Sequence, residues 1–350
     1  MPVARSLVSP LVAATLAFAA SAAAPTVSFA DETGVSFWVP GFFGSLAATP
    51  QQPGWSFAGV NYYTNVSASG NAAVSKEITI GQFNPALNAS INANVSARAD
   101  IGFFAPTYVF ATPFLGGQAS ATLLMAYGSN DTGLNGTISG MVGPIPFMRT
   151  VGLSQTTTAI GDLVPQFAVR WNAGVNNYMA YITGDIPVGD YSSSNLANIG
   201  LGHGAIDGGV GYTYFDPQNG HEFSAVTGLT GNFENTATGY TNGIDWHLDW
   251  GASQFLTKQL QVGLVGYFYD QLTADSGCVA ILCPFESRVI GVGPQIGYLF
   301  LVGDMQGYLN LKGYKEFDNA DRPDGYNVWL TIVLSPKAPG APAPPPILTK

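Results

Sequence analysis

Two-residue alternation between apolar and polar side chains is the feature that most restricts this chain. Within Gly243 to Ser253, Ile244, Trp246, Leu248, Trp250 and Ala252 fall on one side of an extended strand, and Asp245, His247, Asp249, Gly251 and Ser253 on the other. An oily face backed by a charged one suits a wall between two media. The pattern returns along most of the chain, at lengths near the roughly 9 to 11 residues with which a tilted strand crosses a bilayer. The 350 residues are only 10% charged, far under the roughly 25% of soluble domains, so much of the surface is expected to avoid water. No apolar run after the N-terminus has the 18 or so residues of a spanning helix. Strands must then bond one another and close, and the expected fold is all-β, an antiparallel transmembrane β-barrel of 12 to 14 strands in a bacterial outer membrane. The formal charge of -10 offers no basic stripe for phosphates, so nucleic acid is not an expected partner.

Residues 1–30 read as a cleaved export signal, with Arg5 at the positive end, Leu7 to Ala20 apolar, and Ser28-Phe29-Ala30 before the cut; a cut after Ala24 fits as well. Residues 31–54, rich in Gly, Pro and aromatics, are a lead-in, a plug or a short first strand. The barrel is expected over 55–335, and the Pro/Ala-rich 336–350 is expected to be a disordered periplasmic tail. The stretch Ser129 to Gly136, SNDTGLNG, reads as a turn. Thr137 to Gly161 then supplies either two further strands, for a total of 14, or a loop folded into the lumen, for 12. From Leu163 onward short and long connections alternate, which puts the short ones at the periplasmic side. The two cysteines, Cys278 and Cys283, share a long external connection, and export to an oxidising compartment makes a disulfide between them the expected state.

If Trp246 and Leu248 meet lipid, then Asp245, His247 and Asp249 meet the lumen. The same phase places Arg98, Asp100, Arg170, Asp207 and Glu222 inside, and with them Gln295, Asn310 and Lys312. Acids and bases so placed line a substrate path or pair across a narrow interior with no binding role. Asp245, His247 and Asp249 share a strand face as metal ligands would, but one His among pore-lining carboxylates is a poor donor set, and no metal or cofactor is expected. No G-x-S-x-G nucleophile motif occurs, and His203 and His221 fall at loop and turn positions, so no enzyme activity is expected. Aromatics near strand ends, among them Tyr212, Trp246 and Trp329, read as interfacial anchors. Phe37, Trp38, Phe42 and Phe43 are the candidate apolar pocket, because apolar cargo needs a dehydrated surface inside a polar lumen.

Gly161-Asp162-Leu163, Pro165 and Trp171, continuing through Pro187-Val188-Gly189-Asp190-Tyr191, resemble the bacterial family named for the meta-pathway of phenol degradation, also called SphA-like. The similarity extends over about Val35 to Ser335 and includes Asn195 to Gly200, Tyr240 to Gly243, Asp245-Trp246-His247, Gly293-Pro294 and Arg322-Pro323. The family is related in design to outer-membrane channels for fatty acids and toluene. The resemblance therefore implies a channel for passive uptake of small hydrophobic or aromatic compounds, with outer-membrane lipid and the barrel assembly machinery as partners; neither the residues nor the resemblance fixes the oligomeric state, and a monomer is favoured. A plugged structural or surface-binding barrel and a general porin for polar solutes are the alternatives. Such barrels usually end on an aromatic residue, whereas here Tyr326 to Leu334 is followed by the tail.

Overall fold

A computed structural model describes residues 36–69, 89–142, 145–277 and 286–337. The export signal, the tail from residue 338 and both cysteines lie outside the described residues, and so does the disulfide expected between Cys278 and Cys283.

Twelve strands follow one another: β1 (Gly54–Ser69), β2 (Ala89–Val109), β3 (Gln118–Val142), β4 (Ile145–Ala173), β5 (Asn176–Asp185), β6 (Ala205–Asp216), β7 (His221–Asn232), β8 (Asp245–Phe255), β9 (Leu260–Gln271), β10 (Arg288–Val302), β11 (Met305–Ala320) and β12 (Asp324–Pro336). Each pairs antiparallel with its sequence neighbour, and β12 closes on β1 from Phe57 opposite Leu334 to Ser67 opposite Asp324. Closure removes the free edges that hydrocarbon cannot solvate. On β12, Tyr326, Val328, Leu330 and Ile332 are exposed or nearly so while Asn327 and Trp329 between them are buried. The same outward row continues with Ile182, Val210, Leu229, Leu264, Ile296 and Leu309. This continuous apolar band makes the molecule an outer-membrane barrel. Connections after β2, β4, β6, β8 and β10 lie at the end where β1 begins and β12 stops, and four of these five span only two to four residues, such as Gly174-Val175 and Gly303-Asp304. That end is periplasmic by the length rule.

Two readings of the β3–β4 region are corrected. Ser129 to Gly136 is not a turn but the middle of β3, and Thr137 to Gly161 is neither two further strands nor a loop in the lumen but the paired tips of β3 and β4. β3 and β4 run unbroken from Gln118 opposite Arg170 to Val142 opposite Ile145, with one irregularity. Asn and Gly signal turns by their local preference, yet here each residue of the stretch has a cross-strand partner, and long-range pairing overrides the local tendency. The hairpin is 25 and 29 residues long, far more than one crossing needs, so its upper half stands in water and has no call for apolar alternation.

Candidate functional site

The interior is occupied from the periplasmic end by the irregular segment 36–53. Its backbone N–H and C=O groups have no ladder to join, and in a dry interior each needs a partner. Inward-facing strand residues provide them. Asp249 accepts from the Gly41 and Phe43 amides at 2.9 and 3.0 Å, while Lys312 Nζ donates to the Gly41 and Phe43 carbonyls at 2.5 and 2.9 Å. Farther along, Glu222 accepts from the Leu46 amide at 2.9 Å, Thr213 from that of Ala48 at 3.0 Å, and Gln118 from that of Gln51 at 2.7 Å. Gln295 donates to Ser45 at 2.7 Å, and Arg170 reaches the Ala47 carbonyl at 3.4 Å and Ser120 at 3.0 Å. The turn at Gly41 has φ of +88°, and a Cβ there would press on the rings of Tyr314 and Tyr267 at 3.0 to 3.2 Å.

Trp38 anchors the other half of the segment. Its indole stacks on the His247 imidazole, and Phe43 packs between Trp38 and Tyr181 at centroid separations of 5.7 and 5.6 Å. His247 Nε2 lies 2.9 Å from Asp207 Oδ2, which also accepts from Thr230 at 2.7 Å. The group is fully enclosed, with His247 and Asp207 at 0% and 1% exposure. Gly228 and Gly209 make the room: a Cβ on either would fall within 2.8 Å of the Tyr181 ring or hydroxyl, and on Gly228 also of His247 Nε2.

Eight of the ten residues expected to line the lumen do face inward and are buried: Arg170, Asp207, Asp245, His247, Asp249, Gln295, Asn310 and Lys312. Asp245 accepts from Asn232 at 3.0 Å, and Asn310 donates to Tyr308 at 3.1 Å. Arg98 and Asp100 do not join them. Arg98 and Asp131 form an exposed 3.0 Å pair on the outer face, and Asp100 accepts from Asn61 at 2.6 Å. It is the apolar side of β2, Ala99, Ile101 and Phe103, that turns inward. The strand keeps one parity, but the polarity of its faces is the reverse of that expected, because Arg98 stands level with Asn65, beyond Tyr63 and the exposed Tyr127, where the outer face meets water and the inner face lines a cavity. Trp329 is also corrected: it is an interior residue at 1% exposure, packed on Tyr62 with centroids 4.4 Å apart, not an interfacial anchor.

Among the described residues, two cavities adjoin segment 36–53 along the β1–β4 wall. The upper, about 120 Å³, has apolar walls from Val66, Ile101, Phe103 and Leu196, with Glu316, Arg322, Asn130 and Asn198 at its polar points. The lower, about 110 Å³, is lined mainly by Phe37, Trp38, Phe42, Ala105, Leu124 and Val164, with Thr122, Gln166 and Thr183 at its polar points. Of the four candidate pocket aromatics, Phe37, Trp38 and Phe42 border this cavity, whereas Phe43 packs on Trp38 and Tyr181 away from it. Trp38, Val39 and Phe103 border both spaces. Beside the lower one the paired register of β2 with β3 skips Ala105-Pro106, and that of β4 with β5 stops at Gln166, next to Pro165. Proline has no N–H to give the ladder.

The roof of the upper cavity was not legible in the sequence. It is the connection between β5 and β6, which folds into the mouth and buries Leu196 and Ala197 to 6% and 0% exposure. Only the Gly and Asp residues of the 161–163 and 187–191 motifs hinted that these stretches meet.

A family model described as "Putative MetA-pathway of phenol degradation" matches residues 79–332. Among solved structures, the COG4313 outer membrane channel from Pseudomonas putida F1 is similar in fold, with a TM-score of 0.58 at 10% identity over 82% of this chain and 97% of that one. The transport unit of the autotransporter AIDA-I from Escherichia coli has a TM-score of 0.40 at 9% identity, over 85% of this chain and 94% of that one. A Pseudomonas aeruginosa FadL homologue has a TM-score of 0.31 at 10% identity, over 80% and 88%. The last two values are too low to bear on this chain. No curated protein matches its sequence.

Proposed function

The chain belongs to the family of the MetA-pathway of phenol degradation, and on that premise we propose that it is an outer-membrane channel for passive uptake of small hydrophobic or aromatic compounds. One observation carries the reading: two cavities of about 120 and 110 Å³ lie in line along the β1–β4 wall and share Trp38, Val39 and Phe103. An apolar cavity of roughly 150 Å³ stays dry and holds benzene, so each chamber suits a single ring more than a long chain. The polar points of the upper chamber meet the solute where it leaves water, and the lower chamber strips it of water altogether. Segment 36–53 acts as a plug against ions and sugars, and an apolar solute in the lower chamber leaves sideways, through the proline-interrupted wall, into lipid. No catalytic step is assigned to the chain.

A second reading draws on the hydrogen bonds that hold segment 36–53 in place: a barrel sealed for good, whose external face binds a partner. Two measurements on the full chain separate the readings. Titration of the detergent-solubilised protein with toluene or phenol, followed by tryptophan emission, should saturate. Cells lacking the protein should take up the labelled aromatic more slowly than cells expressing it, with arabinose uptake equal in both. Neither binding nor uptake of any single-ring compound would sink the channel and favour the sealed barrel. Ion-sized conductance in planar bilayers, indifferent to aromatics, would point to a general porin.

A further inference from the structure

β4 carries an extra residue where Met125 and Tyr127 of β3 face Leu163 and Ile160, a bulge that turns the Asp162 side chain inward. The carboxylate meets both ends of the β5–β6 connection. Oδ1 accepts from the Gly189 amide and Oδ2 from the Leu201 amide, each at 2.7 Å. The legs are fastened to the same place by backbone bonds: Leu163 and Ile186 exchange two, Asp190 donates to the Ile160 carbonyl, and Gly200 to the Asp190 carbonyl. Glycine is required at the crossing. A Cβ on Gly189 would lie 2.6 Å from the Gly161 carbonyl carbon, and one on Gly200 would lie 2.9 Å from that of Gly189. From this knot the connection reaches over the lumen, where Gln155 Oε1 accepts from the Leu196 amide at 2.7 Å and Asn130 donates to the Asn198 carbonyl at 3.0 Å.

We propose that Asp162 is a positioning residue for the upper chamber: by holding residues 189 and 201 together it keeps 190–200 folded into the mouth as a fixed roof, and so sets what enters. Leu196, Ile199 and Leu201 wall the chamber only in this fold of the connection. Without the carboxylate, two partly buried amides lose their acceptor oxygens. Water then competes for them and the roof lifts. The proposal deepens the channel reading by naming what closes its outer entrance, but its test does not depend on any solute.

The experiment is thiol access in the full chain carrying Cys278→Ser and Cys283→Ser, reconstituted in liposomes. Ala99→Cys places a thiol in the upper chamber and Thr122→Cys one in the lower. A membrane-impermeant maleimide is added outside. With Asp162→Ala, labelling at position 99 should quicken about tenfold or more, in step with the loss of the two hydrogen bonds. Labelling at 122 should stay as it was. Asp162→Asn, which keeps one acceptor oxygen, should fall between, and Gly189→Ala should act like Asp162→Ala by crowding the knot. Where Asp162→Ala yields no heat-modifiable barrel in dodecyl sulfate, the Asn and Gly189 variants decide. Unchanged labelling at 99 in a folded barrel would overturn the proposal, as would equal acceleration at 99 and 122, which would mean general loosening.

Discussion

The Trp38 indole lies flat on the His247 imidazole, with ring centroids 3.7 Å apart and planes 10° from parallel. One ring belongs to the irregular N-terminal segment and the other to β8, so the pair ties the filling of the barrel to its wall. His247 in turn rests on Asp207 across two strands. The stack transfers to Trp38 a position that the segment's own backbone does not dictate.

Trp38→Ala should release the segment without unfolding the barrel. Truncating a buried Trp costs about 3 to 5 kcal/mol, and the twelve-strand ladder does not depend on it. The expected outcome is a barrel that still shifts on heating in dodecyl sulfate, with faster protease cleavage within residues 36–53 and new permeability to arabinose. Unchanged cleavage would show that the stack contributes little.

Asp249 and Lys312 act on the same two residues, Gly41 and Phe43, one accepting from their amides and the other donating to their carbonyls. Removing either one leaves polar backbone groups of the segment without their charged partner, at a cost of about 1 to 3 kcal/mol. Asp249→Ala and Lys312→Met should each lower the thermal transition of the detergent-solubilised protein. The double variant should lose less than the two together, by about 1 to 3 kcal/mol in a double-mutant cycle. Strict additivity would mean that the two charges do not share a task.

Arg98 should matter little. Its pair with Asp131 is exposed on both sides, 59% and 42%, and such pairs are worth at most about 1 kcal/mol, less in salt. Arg98→Ala is expected to leave uptake unchanged and the transition temperature nearly so. A drop in aromatic uptake would return Arg98 to the path from which its outward orientation removes it.

Phe103 is the side wall common to both chambers. Phe103→Trp should fill part of both and weaken single-ring binding by about 1 to 3 kcal/mol, while Phe103→Ala should join them and admit a two-ring compound that the native protein excludes. Competition titrations with toluene and naphthalene check both. Equal affinities in all three proteins would place the ligand elsewhere.

Much of this molecule was already settled by local rules. Alternation such as that of Gly243 to Ser253 has a period that only a strand satisfies, and low charge with aromatic-rich outward rows leaves lipid as the medium, so the barrel and the faces of β5 to β11 followed from residue order. The buried row Asp207, Asp245, His247, Asp249 and Lys312 was legible for the same reason, because facing depends on parity alone. What each of these groups touches was not. Asp249 meets Gly41 across 208 residues of sequence, and no local pattern encodes that distance. Only tertiary structure decided that segment 36–53 enters the lumen, that the polar row of β2 at Arg98 and Asp100 faces outward, that β3 continues through SNDTGLNG, and that Asp162 gathers Gly189 and Leu201. In each case the deciding force is the need of a buried polar group or an unpaired strand for a partner, and the partner is brought there by closure of the barrel.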